Sequence, residues 1–306
     1  MGRYHANVLA APPGVRFSGV HDTDPRSAGA VAGPAGVPVF TSLEGLFRVS
    51  DAVCIAVPTA AHESVACAAL EAGMHVLLEK PVAPTPAAAT RIMETAARCG
   101  RIPHVGHVER FNGAIRQMRA IVNRPSLIEA RRLAPYSPRS GDVGVVLDLM
   151  IHDLDIVLHL VDSPLVSLQA AGSRVRSGHE DVATTVLTFE NGCLAVLTAS
   201  RITQDKIRAL AVTQPDGYIS LDYTTQEINI HRQTGQEYQV AGREIRYSIA
   251  STIERVFVHT VNPLQQELAH FVACINGDET SLISNEHDLK ALETALAVLD
   301  RIGSAG

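Results

Sequence analysis

Short apolar runs in the first third of the chain alternate with alanine-rich stretches of helical pattern. In the stretch 74–81, Val76 to Leu78 are apolar without polar alternation, which predicts a strand covered on both faces of a parallel sheet. Similar runs occur at 51–59 and 102–105, and helices are predicted between them at 62–72 and 85–99. Strands and helices that alternate at this spacing indicate a parallel sheet wound in the right-handed sense.

The beginning of the chain matches only part of a dinucleotide-binding unit. In such a unit a strand and a G-x-G-x-x-G loop precede the first helix, and an acidic residue follows about 20 residues later. A helix predicted over 4–11 comes first here, followed by a strand predicted over 15–20. Gly2 fits the third glycine of the loop, and Asp22 fits the acidic position. We therefore expect a Rossmann domain whose first strand and part of its glycine loop are missing.

This partial match leads to the hypothesis that the natural start codon lies upstream and that Met1 is an internal methionine. The absent strand is central in this sheet type, so its loss removes four or five buried aliphatic side chains, by a rough count. Each contributes about 1.5–3 kcal/mol, which together is comparable with a domain stability of about 5–15 kcal/mol. An in-frame stop immediately before Met1 in the coding DNA would contradict the hypothesis.

After residue 106 the pattern changes to one long helix, 145–161, followed by strands. Strand patterns occur at 181–189, 193–199, 207–212 and 218–223, and helices are predicted at 263–275 and 286–302. Asn191-Gly192 and Asp216-Gly217 are hairpin signals between neighbouring strands. The pattern predicts a Rossmann domain over 1–106 and, over 107–306, an α+β domain with a large, mostly antiparallel open sheet.

Composition excludes several classes of protein. The net charge of -6 and pI of about 6.1 argue against a nucleic-acid partner, and no apolar run reaches the length of a membrane span. Five scattered cysteines without a CxxC pair indicate neither a disulfide framework nor a zinc site. Residues 179–181 carry three metal-binding types, but adjacent strand residues cannot face one point, so no metal is expected. Without a signal-type segment, a cytoplasmic location is expected.

Two groups of residues suggest chemistry. Glu79 and Lys80 come at the carboxyl end of the predicted central strand, where open α/β sheets bind ligands. Asp148 and His152 are four residues apart on a predicted helix and therefore share a face. A carboxylate beside an imidazole orients it as a general base. The alternatives are a salt bridge that positions Lys80 and an Asp/His pair that only stabilises its helix.

Several motifs together resemble the Gfo/Idh/MocA oxidoreductases, NAD(P)-dependent enzymes that act mostly on sugars and cyclitols. The resemblance rests on residues 56–59 (AVPT), 79–81 (EKP) and the helix around His152. Residues 105–112 (VGHVERFN) and 139–155 resemble the subgroup that oxidises the 3-hydroxyl of UDP-N-acetylglucosamine. The match covers nearly the whole chain and implies a nucleotide-sugar substrate.

The resemblance also implies roles for individual residues. Asp22 would bond the adenosine ribose and repel a 2′-phosphate, which favours NAD over NADP; its alternative role is to form a turn. Catalytic roles are implied for Lys80, His152 and Asp148; cofactor binding for Gly2, Arg3, Asp22, Pro58, Thr59, His62 and Glu79; and substrate binding for Arg110, Asn112 and Arg139. The alternative for His62 is an ordinary residue at the start of a helix. For Arg110 and Arg139 the alternative is an ion pair at the domain interface.

Other functions remain open at this stage. The substrate could be inositol or a free sugar, or permanently bound NAD could support cleavage of a glycosidic bond. A non-catalytic NAD(H)-binding regulator is a further alternative, against which Lys80, Asp148 and His152 argue. An antiparallel sheet that is uncovered on one face would leave apolar surface exposed. We therefore expect a homo-oligomer, and the resemblance to the family implies a homodimer or homotetramer.

Overall fold

The computed structural model describes residues 1–9, 12, 14–137, 143–241, 244–282 and 284–304. They form two compact units. The first comprises Met1–Phe111 and Asn262–Glu293, and the second comprises Asn112–Val261 and Thr294–Gly306. Within the described residues, no helix is both long and apolar enough to cross a membrane.

The first unit is built on a parallel sheet in which, among the described residues, three strands lie in the order β1-β2-β3. The strands are β1 (Ala52–Ile55), β2 (His75–Glu79) and β3 (Pro103–Gly106). The helices are α1 (Gly2–Val8), α2 (Pro25–Ala35), α3 (Leu43–Phe47), α4 (His62–Glu71), α5 (Pro86–Cys99) and α8 (Pro263–Asn276). The predicted strand at 15–20 is reduced to one parallel bridge between Val20 and Val39. The predicted central strand and its flanking helices are confirmed.

Helix α5 shows how local sequence sets the boundaries of an element. The Thr85 hydroxyl accepts a hydrogen bond from the Ala88 N–H at 3.2 Å, and Pro86 occupies the first turn, where its missing N–H is harmless. Gly100 ends the helix with a φ of 62°, a left-handed conformation that glycine adopts without strain. These residues fix the two ends of α5, whose buried residues include Ala88, Ala89 and Ala96.

The core of the first unit is centred on β2 and completed from the far end of the chain. Val76, Leu77 and Leu78 are fully buried, as expected for a strand covered on both faces. Leu77 packs against Leu268 and Phe271 of α8. The apolar pattern of α8 predicted a helix, but nothing in it indicated that this helix would join the first sheet.

The second unit contains, within the described part of the chain, an eight-stranded sheet in the order β11-β10-β9-β8-β4-β7-β6-β5. The strands are β4 (Leu127–Leu133), β5 (Leu165–Ser173), β6 (Val182–Phe189), β7 (Leu194–Ser200), β8 (Ile207–Gln214), β9 (Gly217–Asp222), β10 (Glu227–Ala241) and β11 (Glu244–Val256). Neighbouring strands are antiparallel except for β4 and β7, which run parallel. The predicted mostly antiparallel sheet is confirmed, as are the hairpins β6–β7 and β8–β9, although the turn of the second hairpin consists of Pro215 and Asp216 rather than Asp216 and Gly217.

The helices of this unit are α6 (Gly113–Ile121), α7 (Ile151–Val161) and the end of α9 (Asn285–Ser304). The single helix predicted over 145–161 is wrong in its first part. Val146–Met150 forms a π-helical turn, in which the Ile151 N–H donates to the Val146 carbonyl five residues back, and α7 follows it. Hydrophobic periodicity could not reveal the wider turn, because five residues are too few to shift the pattern.

Candidate active site

Polar groups gather at the carboxyl end of the parallel sheet in the first unit. Pro58 and Thr59 follow β1, while Glu79 and Lys80 end β2. Glu79 is in register with Gly106 at the end of β3, and a Cβ at Gly106 would lie 3.3 Å from the Glu79 Cα. The glycine therefore leaves room for the glutamate at this edge, where open sheets bind ligands.

The Glu79 side chain is turned into the protein. It is only 6% exposed, and its Oε1 lies 2.6 Å from Nε2 of His5 in α1. This ion pair ties the end of β2 to α1 and so fixes the backbone beside the half-buried Lys80. No sequence signal had singled out His5, because its partner lies 74 residues away.

His62 joins the loops that follow β1 and β2. Its ring is 1% exposed, with Nδ1 2.9 Å from the Pro81 carbonyl oxygen and Nε2 3.0 Å from the Val57 carbonyl oxygen. Both ring nitrogens are thus engaged by the backbone. The geometry gives His62 a structural role, and its contact with a cofactor stays a prediction.

The residues predicted to hold the adenosine half of a dinucleotide are exposed. Asp22 lies just after the Val20 bridge, and its Oδ1 accepts the Asp24 N–H at 2.9 Å, so it forms a turn while its carboxylate still faces solvent. Gly2 and Arg3 occupy the first turn of α1. A Cβ at Gly2 would lie 3.9 Å from the Ala56 Cβ, an ordinary van der Waals distance. The exposed Asp22 carboxylate fits the ribose of a dinucleotide.

A second buried carboxylate lies near Glu79. Glu267 of α8 is fully buried, and neither of its oxygens has a hydrogen-bond partner among the described residues. Burial and the nearby Glu79 charge raise the pKa of Glu267 to about 8, although His5 and Arg110 act in the opposite direction. An acidic residue on the apolar face of the predicted helix 263–275 was the available sequence signal for this group.

Asp148 and His152 lie in the second unit on one continuous helical segment. Asp148 is in the π-helical turn and His152 is the second residue of α7, and both are half-buried. The Nδ1 atom of His152 is buried. The sequence prediction that both belong to one helical segment is confirmed, and their catalytic roles stay predictions.

Next to His152, Asp153 fastens α7 to the sheet. Arg132 of β4 donates from Nε to Asp153 Oδ2 at 3.0 Å and from Nη2 to Oδ1 at 2.8 Å, in a fully buried pair. The guanidinium also lies 4.9 Å from the centre of the Tyr223 ring. Two parallel charge-assisted bonds fix the orientation of the helix as well as its position.

The predicted substrate residues have structural partners. Arg110 is buried in the first unit and donates from Nη2 to Asp288 Oδ1 at 2.6 Å. Asn112 caps α6 in the second unit, where it accepts the Ala114 N–H and donates to the Tyr223 carbonyl, both at 3.0 Å. Arg139 lies outside the described residues. Substrate binding by Arg110, Asn112 and Arg139 stays a prediction.

Two family models match the chain. Residues 1–107 match the model described as "Oxidoreductase family, NAD-binding Rossmann fold", and residues 109–220 match the "GFO/IDH/MocA C-terminal domain". The chain is 36% identical over 237 residues to UDP-N-acetylglucosamine 3-dehydrogenase of Acidithiobacillus ferrooxidans, covering 77% of this chain and 75% of that protein. The chain belongs to the Gfo/Idh/MocA oxidoreductase family.

Further comparisons agree with this membership. A solved structure of UDP-N-acetylglucosamine 3-dehydrogenase from Acidithiobacillus ferrooxidans superimposes with a TM-score of 0.89 and 30% identity, covering 99% of this chain and 95% of that one. Inositol 2-dehydrogenase 2 of Saccharopolyspora erythraea is 33% identical over 209 residues, or 63% of this chain and 62% of that protein. This Gfo/Idh/MocA chain is therefore an oxidoreductase with a Rossmann domain for a nicotinamide cofactor.

Proposed function

We propose that this oxidoreductase oxidises the 3-hydroxyl of UDP-N-acetylglucosamine to a ketone with NAD as the oxidant. The observation that carries the proposal is the placement of Asp148 and His152 on one helical segment that is clamped to its sheet by Arg132. Its support in the first unit is Lys80 at the carboxyl end of β2. The choice of substrate is supported by the 36% identical relative that bears this activity in its name.

In this mechanism His152 accepts the proton of the sugar hydroxyl. Asp148 stands one turn earlier and favours the imidazolium that forms, because an opposite charge stabilises it. Lys80 donates a hydrogen bond to the reacting oxygen. The bound nicotinamide supplies the hydride acceptor.

NAD is proposed over NADP because of Asp22. Its exposed carboxylate suits a ribose 2′-hydroxyl and repels a 2′-phosphate. The first experiment follows absorbance at 340 nm with UDP-N-acetylglucosamine and either NAD or NADP. Turnover with NAD that exceeds turnover with NADP is the expected result. Equal turnover with both would remove the role given to Asp22.

Replacing the lysine tests its role directly. Lys80→Ala should lower kcat at least 100-fold, on the order expected when a positioned catalytic donor is lost, while NAD binding changes little. Lys206→Ala, at an exposed position in the second unit, is the matched control and should leave kcat unchanged. The measurements are initial rates and NAD titration by calorimetry. Normal turnover by Lys80→Ala would contradict the mechanism.

A second candidate substrate is a cyclitol such as inositol. It is favoured by the 33% identity to an inositol 2-dehydrogenase. The same assay with myo-inositol in place of the nucleotide sugar separates the two candidates. A kcat/KM that is higher for the cyclitol would replace the first candidate while keeping the roles of His152 and Lys80.

A homodimer or homotetramer formed through the large sheet completes the proposal. The strands β6 and β7 bury alternate residues and leave the others partly open, so one face of the sheet is less covered than the other. Val166 of β5, Val186 of β6 and Leu194 of β7 are exposed apolar side chains on three neighbouring strands. Light scattering coupled to size exclusion measures the subunit number directly, and a monomer would contradict this part.

A further inference from the structure

Glu180 contacts the start of the segment that carries Asp148 and His152 through two of its atoms. The Val145 N–H donates to the Glu180 carbonyl at 3.0 Å, and the Val146 N–H donates to Glu180 Oε1 at 3.1 Å. The first N–H groups of a helix have no partner within it, and negative charge is favourable at this end. Glu180, which is buried, therefore supplies both the acceptors and the charge that this helix start needs.

The neighbouring glycine is required by this contact. A Cβ at Gly144 would overlap the Glu180 carboxylate, so any larger residue would push that carboxylate away from the Val146 N–H. Glu180 can therefore approach the backbone only because position 144 has no side chain. Gly144 supplies the space and Glu180 the acceptor for the Val146 N–H at the beginning of the π-helical turn.

Glu180 is itself fixed by the next residue. Asp181 accepts the N–H groups of Val175 at 2.8 Å and Arg176 at 2.6 Å, and it receives Arg201 Nε at 2.7 Å. Arg201 in turn donates from Nη1 to the Val143 carbonyl at 2.5 Å. The ion pair of Asp181 and Arg201 is thus bonded to the chain at Val143, two residues before Val145.

We propose that Glu180 is a positioning residue for the base His152, an inference that rests on the proposed function. It fixes the start of the π-helical turn and, through that turn, the rotation of the segment on which Asp148 and His152 lie. Displacement of the segment by about 1 Å would misalign the base, and errors of this size can lower rates by about 100-fold. Glu180 touches neither substrate nor cofactor in this account.

The test compares Glu180→Ala with Glu180→Gln. The amide oxygen of glutamine can still accept the Val146 N–H, whereas alanine leaves that donor without its acceptor. We expect Glu180→Ala to lower kcat about 10- to 100-fold with the KM for NAD within about twofold, and Glu180→Gln to restore most of the rate. Glu190→Ala, at the exposed end of the same β6 hairpin, is the matched control and should change neither parameter.

Hydrogen exchange gives a readout that does not depend on the substrate. Glu180→Ala should speed amide exchange in peptides covering 143–150 at least tenfold, with little change in β9 peptides. If the wild type is inactive on every sugar, the proposed function fails, while exchange still decides whether Glu180 holds the turn. If Glu180→Ala does not fold, Gly144→Ala displaces the same carboxylate and takes its place. Unchanged exchange and unchanged kcat would overturn the inference.

Discussion

Asp181 in the second unit and Glu267 in the first are both fully buried, yet their surroundings are opposite. Asp181 accepts backbone N–H groups from Val175 through Ser177 and pairs with Arg201. Glu267 has no hydrogen-bond partner among the described residues, and Nε2 of His104 lies 3.8 Å from its Oε1.

Although both carboxyl groups are buried, their pKa values are shifted in opposite directions. Burial raises the pKa of Asp181, but its backbone donors and Arg201 outweigh this effect and hold the pKa well below the usual range. Without such donors, the pKa of Glu267 rises to about 8. Burial sets the cost of a charge, and the available donors decide whether the group keeps it. At neutral pH, Asp181 in the second unit therefore keeps its negative charge, whereas Glu267 in the first unit keeps its proton.

The largest change in the free energy of unfolding is expected from replacing Asp181. Asp181→Asn leaves the Arg201 guanidinium buried without its counter-charge and should lower the free energy of unfolding by about 3–5 kcal/mol. Urea denaturation at pH 7, followed by circular dichroism, measures the change. Asp216→Asn is the control, because Asp216 pairs with Arg232 on the surface of the same sheet and should cost less than about 1 kcal/mol. A loss as small as the control's would contradict the comparison.

A smaller effect, of opposite sign, is expected at Glu267. Its pKa is about 8 in the folded chain and 4.5 in the unfolded reference, so between these values only the folded chain keeps the proton. Its contribution to stability is thus complete below pH 4.5 and falls as the pH rises toward 8. Glu267→Gln has no carboxyl group to ionise and so avoids this loss. As the pH rises from 5 to 9, its free energy of unfolding should increase relative to that of the wild type by on the order of 2–4 kcal/mol.

Unfolding of both proteins at pH 5, 7 and 9 checks this expectation. The groups that bear on Glu267 are Glu79, His5, Arg110 and His270, and all of them are kept in the variant. Their effects are therefore present in both proteins and largely cancel in the difference. Parallel stability profiles for the wild type and Glu267→Gln would show that the proton is not stored at this residue.

The smallest effect concerns the neighbour of Glu267. Burial and the Arg110 charge lower the pKa of His104 from 6.5 to about 4, so as the pH falls the unfolded chain takes up this proton first. The stability that neutral His104 contributes is thus lost between pH 6.5 and pH 4. His104→Phe places a third aromatic ring near Phe111 and Phe271, whose centroids lie 5.8 Å from that of His104. It should reduce the acid loss by about 1–2 kcal/mol in thermal unfolding at pH 7 and pH 4.

The sequence predicted those features that depend on neighbouring residues. The buried run at β2, the Thr85 and Gly100 ends of α5 and the Asn191-Gly192 turn are local, because apolar periodicity and turn chemistry act over a few positions. The resemblance added the family, which the comparisons confirm. It also singled out Asp148 and His152, whose common helical segment the structure bears out.

Partners that are distant in sequence could not be predicted in the same way. Arg110 was predicted to bind the substrate, with an ion pair as the alternative, but the sequence could not name Asp288 as its partner, which lies 178 residues further along the chain. Strand β4 was not predicted. Its Ile128 to Arg131 alternate between apolar and polar, but Arg132, which is buried, ends this alternation after four residues, and the partners β7 and β8 come more than 60 residues later. A single pattern reports burial, but it does not name the group that causes the burial.

The packing of Leu77 against α8 has a consequence for biosynthesis. A ribosome makes β1 to β3 early, but Leu268 and Phe271 emerge only after every strand of the second sheet has been translated. The side of β2 that packs against α8 in the finished protein therefore lacks this helix while more than 150 further residues are added.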